Sequence, residues 1–170
     1  MPNWVYNTLT VDKDFERVRD YCKSDESPLD FDKIRPCPFD PSIPLISGSH
    51  EDESGENWYN WRLDNWGTKW NARDIEVKDN GFIFETPWDP PWGIISELMR
   101  QFPDVTFSLG AEDECCNGYW EVVAKDAKII SGSQDKRDPC IRCRDENVGC
   151  FQEYPGIPVS TSDADQEMAQ

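Results

Sequence analysis

A chain of 170 residues fits one domain and is long enough to bury a core of its own. Its 34 acidic residues against 17 Lys plus Arg leave a net charge of −17, which repels phosphate and argues against direct binding to duplex DNA. The sequence has no apolar run of membrane-spanning length and no basic segment leading into an apolar one, so it reads as a soluble, cytoplasmic protein with no membrane contact.

In chain order, Asn3 to Val11 reads as a strand, with Val5, Leu9 and Val11 on a period of two. Residues 13–23 read as a helix: Phe15, Val18 and Cys22 form its stripe, and Asp12 or Asp14 can cap it. Leu29 to Ile34 reads as a short strand. Pro36, Pro38, Pro41 and Pro44 then work against regular structure until about residue 53. Residues 55–66 read as a short helix after Ser54, stopped by Gly67. Residues 73–78 and 81–86 read as a hairpin turning at Asp79-Asn80-Gly81. Pro90-Pro91 opens a helix to Phe102, with Ile94, Ile95, Leu98 and Met99 on its apolar stripe. Val105–Leu109, Tyr119–Val123 and Ile129-Ile130 read as further strands. From Ser131 the chain becomes polar and irregular, and its last ten residues, from Thr161, read as disordered.

This order contains a split β-α-β-β-α-β arrangement, which predicts an α+β fold: an antiparallel sheet with two helices on one face. Phe15, Val18, Phe82, Phe84, Ile94, Leu98, Met99, Val105, Phe107 and Val123 are the expected core.

Four motifs carry a family resemblance. Met1-Pro2-Asn3-Trp4 opens the first strand. Asn65-Trp66-Gly67-Thr68-Lys69-Trp70-Asn71-Ala72 follows the inserted helix. Phe84-Glu85-Thr86-Pro87-Trp88-Asp89-Pro90-Pro91 leads into the last helix. Phe102-Pro103 and then Gly118-Tyr119-Trp120-Glu121 close the series. In type and order these resemble the YubB ferredoxin-like domain family of bacteriophages and conjugative plasmids, over roughly residues 1–130. The resemblance implies a ferredoxin-like domain over 1–130. The chain departs from the family in its long acidic loop (47–56), part of a Trp-rich insertion at about 47–72, and in an irregular Cys-containing tail over 131–170. It also implies a mobile-element origin, hence the cytoplasm of a bacterial host cell. It implies no reaction.

Three constellations are candidates for function. The first is Trp58, Tyr59, Trp61, Trp66, Lys69 and Trp70, which read either as a wedge of core aromatics, with Trp66 and Trp70 buried, or as an aromatic surface that stacks a base or docks a partner. The second is the pair of acidic runs Glu51-Asp52-Glu53 and Glu112-Asp113-Glu114. They read either as solvated loops or as a phosphate mimic that occupies a basic groove. Residues 37–124 concentrate the acidity, with 17 acids against 5 bases. The third is Cys140, Cys143 and Cys150, a C-x2-C-x6-C pattern offering three of the four ligands of a zinc site, with the fourth from Cys115, Cys116, Cys37 or His50. The alternative is simple thiols and no cofactor. His50 is the sole histidine, and no catalytic motif surrounds it, so an enzyme is disfavoured.

The leading expectation is a non-catalytic, acidic interaction protein of a phage or plasmid. It would bind a host protein with a basic, nucleic-acid-binding surface, as an anti-CRISPR or anti-restriction inhibitor does. The alternatives are a nucleotide or single-stranded nucleic-acid binding module, using the sheet or the Trp cleft, and a purely architectural domain.

Overall fold

The structure is a computed structural model that describes residues 3–42, 57–114, 118–126 and 128–136. Its elements are β1 (Trp4–Val11), α1 (Phe15–Cys22), α2 (Phe31–Ile34), α3 (Trp58–Trp66), β2 (Arg73–Lys78), β3 (Gly81–Pro87), α4 (Trp92–Gln101), β4 (Phe107–Asp113), β5 (Gly118–Lys125) and β6 (Lys128–Lys136). The strands form one sheet in the order β2-β3-β1-β4-β5-β6, and every pairing is antiparallel. Within it, β2-β3-β1-β4 with crossovers through α1 and α4 is the expected split arrangement. β5 and β6 extend one edge.

β1 is central, pairing with β3 and β4 on its two sides. Its alternation is strict: Val5, Asn7, Leu9 and Val11 are buried, whereas Tyr6 and Thr8 are exposed. Register passes this alternation across the sheet, since Leu9 lies opposite both Phe82 and Leu109. Phe15, Val18 and Cys22 of α1, Phe31 and Ile34 of α2, and Ile94, Ile95, Leu98 and Met99 of α4 join these strand residues in one hydrophobic cluster. The helices therefore cover one face of the sheet, and burial of each such side chain contributes on the order of 1.5–3 kcal/mol before the entropy of ordering it.

Several expectations are corrected. Residues 29–34 do not form a strand. Leu29 and Phe31 mimic a period of two, but Phe31 and Ile34 are both buried three residues apart, on one turn of α2. Asp30 caps that turn by accepting from the Asp32 N–H at 3.0 Å. Asp14 stands at the start of α1 without a side-chain capping bond, and the Asp12 carboxylate instead accepts from the Thr106 N–H at 2.9 Å, tying β1 to the approach of β4. Val123 is only half-buried: it lies opposite Ser108, on the uncovered face, while Val122 and Ala124 face the core. β6 continues to Lys136, through residues expected to begin the irregular tail.

Candidate interaction surface

The Trp-rich segment folds as α3 because Asn57 caps it, accepting from the N–H groups of Tyr59 and Asn60 at 2.9 and 3.0 Å. Gly67 ends it at φ 85°, a left-handed conformation that glycine adopts without penalty. The turn places Trp66 in the core, fully buried and edge-on to Phe31. Trp61 packs half-buried beside it. Asn71 then clasps α2. Its Oδ1 accepts from the Phe31 N–H at 2.8 Å, and its Nδ2 donates to Asp30 at 2.7 Å.

The remaining aromatics of the motif do not join the core. Trp70 is 38% exposed, which corrects the expectation that it is buried. It lies between Trp4 and Trp88, with ring centroids 6.1 and 5.9 Å away. Trp88 is 42% exposed and has φ 66°, which for a bulky residue costs on the order of 1–3 kcal/mol. The strain is held by its surroundings. The Trp88 N–H donates to the Asn3 carbonyl at 2.8 Å, and the Thr68 hydroxyl donates to the Pro87 carbonyl at 3.1 Å.

Cations thread this aromatic ridge. The Lys69 ammonium stands 4.8 Å from the ring centre of Trp70, 5.2 Å from Tyr59, 5.8 Å from Trp88 and 6.0 Å from Trp58. The Arg62 guanidinium lies over Trp66 and Trp58 at 4.4 and 5.5 Å, and Arg73 lies over Trp4 at 3.3 Å. Ring faces are negative, so each pairing is attractive.

The second surface is the opposite sheet face, which is uncovered among the described residues. Tyr6, 47% exposed, lies opposite Glu85 on one side and Glu112 on the other. In the next row Thr8 lies opposite Ile83 and Gly110, and Gly110 opposite Glu121. Arg73 answers Glu85 at 2.7 Å, while Glu112 and Glu121 are exposed acids. An aromatic ring flanked by carboxylates suits a cationic partner and repels phosphate.

This geometry takes the second acidic run apart. Glu112 faces outward, Asp113 is inward and 7% exposed, and the Glu114 carboxylate accepts from the Trp4 N–H at 3.0 Å. Three consecutive acids therefore do not make one patch, because successive strand residues point to opposite faces, and Asp113 is withdrawn as a partner contact. Tyr6, Glu85, Glu121, Trp4 and Trp88 were not among the candidate residues. For Tyr6 the signal was present in the alternation of β1; for the others only strand register reveals it.

Glu51, Asp52, Glu53, His50, Cys115, Cys116, Cys140, Cys143 and Cys150 lie outside the described residues. Among the described residues no cluster of three or more His, Cys, Asp or Glu could hold a metal, and no helix is long and apolar enough to cross a membrane. An open groove of about 540 Å³ between α2 and α4 is lined by Ile34, Arg35, Pro36, Ser96, Glu97 and Arg100. Its charges are already engaged: Arg100 pairs with Glu97 at 2.6 Å, and Arg35 donates to the Asn65 carbonyl at 3.2 Å.

No curated protein and no solved structure matches the chain significantly. Residues 65–149 match the family described as the ferredoxin-like domain in Api92-like protein. That span runs from the Asn65-Trp66 motif through all strands after β1, and it is half of the 170 residues. With the strand order β2-β3-β1-β4 and its two crossover helices, the match shows that the chain belongs to this ferredoxin-like domain family.

Proposed function

We propose that the chain is a non-catalytic interaction protein of a phage or conjugative plasmid, of the YubB type, that acts in the bacterial cytoplasm. It binds a host protein through a basic, nucleic-acid-binding surface, in the manner of an anti-CRISPR or anti-restriction inhibitor. The observation that supports this reading is the uncovered sheet face, where Tyr6 stands exposed between Glu85 and Glu112 with Glu121 in the next row. The net charge of −17 would steer a basic partner toward it and speed encounter. Single exposed ion pairs contribute roughly 0.2–1 kcal/mol each, so affinity would rest on several acids around one aromatic anchor.

The test is capture from bacterial lysate with the parent chain and with a Glu112→Lys/Glu121→Lys variant, at low and high salt, with and without added DNA. The expected result is a nucleic-acid-binding protein that is released by salt and by DNA and lost with the charge-reversed variant, whose melting temperature stays within a few degrees of the parent. Capture that is indifferent to salt, DNA and charge reversal sinks the reading.

The second reading, a nucleotide or single-stranded nucleic acid on the Trp cleft, is favoured by the Trp4–Trp70–Trp88 ridge with Lys69 and Arg73 beside it, since stacked rings with cations are what unpaired bases bind. Quenching of tryptophan fluorescence by oligonucleotides, lost in Trp70→Ala, would favour it over the first.

A further inference from the structure

The arrangement around Lys69 is a box with its own occupant. Four aromatic rings, from Trp58, Tyr59, Trp70 and Trp88, stand within 6.0 Å of the ammonium. Among the described residues Lys69 forms no ion pair with a carboxylate, so among them the rings are what meet its charge. Rings come from two separate segments, α3 with its following turn and the β3–α4 connection, and the second is delivered by the left-handed backbone of Trp88. Both Trp70 and Trp88 keep more than a third of their surface open to solvent, so the box has an entrance. A lysine on a flexible four-carbon stem, just after a turn, can swing out at small cost.

We propose that this box is a binding site for a small quaternary ammonium compound, with Lys69 as an internal competitor that fills it when the ligand is absent. A quaternary ammonium suits the box better than lysine does, because it is weakly hydrated and loses little on leaving water, whereas the primary ammonium of Lys69 forgoes strong hydration. Aromatic enclosures of this kind recognise such groups through the negative ring faces, and the acidity of the whole chain raises the local concentration of any cation. The site does not use Tyr6, Glu112 or Glu121 and stands or falls independently of the first reading above, while it shares Trp70, Trp88 and Lys69 with the ridge of the second.

The test uses the full chain and choline as the probe, with 3,3-dimethyl-1-butanol as its neutral isostere, read by tryptophan fluorescence and by NMR of the indole N–H groups. Lys69→Ala, which empties the box, should bind choline at least about tenfold more tightly than the parent. Lys69→Met, which refills it with an uncharged stem of similar length, should bind no more tightly than the parent, and Lys69→Ala/Trp88→Ala should lose binding. The neutral isostere should not bind to any of them. A second measurement needs no variant: in the parent, the protons next to the Lys69 ammonium should be shifted upfield by the rings, and choline should return them to ordinary values. Equal binding of choline and its isostere, no gain in Lys69→Ala, or a Lys69 signal that choline leaves unchanged would each overturn the proposal.

Discussion

The indole N–H of Trp66 donates to the main-chain carbonyl of Arg35 at 2.8 Å, while its ring is fully buried against Phe31. One side chain thus ties the inserted helix α3 to the end of α2 and satisfies the single polar atom that a buried tryptophan carries.

Removing that side chain should be costly. Trp66→Ala deletes both the bond and the largest buried side chain, so a loss of about 3–5 kcal/mol is expected. Trp70→Ala, at a ring 38% exposed, should cost well below that. Urea melts of the two variants check the ranking, and equal losses would show that the ridge is part of the core.

Asp30 links α2 to the turn after Trp70. Burial pushes its pKa up, but hydrogen bonds from Asn71, Ser24 and the N–H groups of Asp32 and Lys33 outweigh this, and the carboxyl lies below its ordinary value of 3.8. A depressed folded-state pKa means that the stabilisation is complete above the unfolded value and is lost as pH falls through the folded one. Asp30→Ala should therefore cost about 1 kcal/mol at pH 7, the usual worth of a helix cap, and the difference from the parent should shrink below about pH 4. Denaturant melts at pH 7 and pH 3 would measure it, and a gap that widens in acid would contradict the assignment.

Gly93 sits where α4 crosses the end of α3. A Cβ there would lie 2.0 Å from the Asn65 carbonyl oxygen and 2.6 Å from its carbon. Intrinsic propensity favours alanine over glycine in a helix by up to about 1 kcal/mol, whereas overpacking costs about 1–3 kcal/mol. The clash is with backbone, so packing should prevail and Gly93→Ala should lower the melting temperature. A rise would mean that the two helices can separate freely.

Cys22 faces the core from α1, and burial pushes its thiol up to about 12. Alkylation of the native chain at pH 8 should leave Cys22 unmodified while it reacts fully in denaturant, since the thiolate is the nucleophile. Peptide mass mapping reads this site by site, and rapid native labelling of Cys22 would show that α1 opens on that timescale.

Periodicity alone located β1, α1, the β2–β3 hairpin, α4 and most of the core, because Val5, Leu9 and Val11 alternate and Ile94, Ile95, Leu98 and Met99 recur at helical spacing. It failed at residues 29–34, where Leu29 and Phe31 fit a period of two and Phe31 and Ile34 a helical spacing, and the Asn71 clasp and the packing of Phe31 on Trp66 select the helix. The candidate surface was less legible. Composition determines that the chain is acidic and rich in tryptophan, but whether a given acid or ring is usable depends on the face it occupies. That is a matter of strand register and of which rings the core has room for. Register withdraws Asp113, exposes Glu112 and sets Glu85 and Glu121 around Tyr6. Packing admits Trp66 and leaves Trp70 outside, where Trp88, eighteen residues on in sequence, meets it across Lys69.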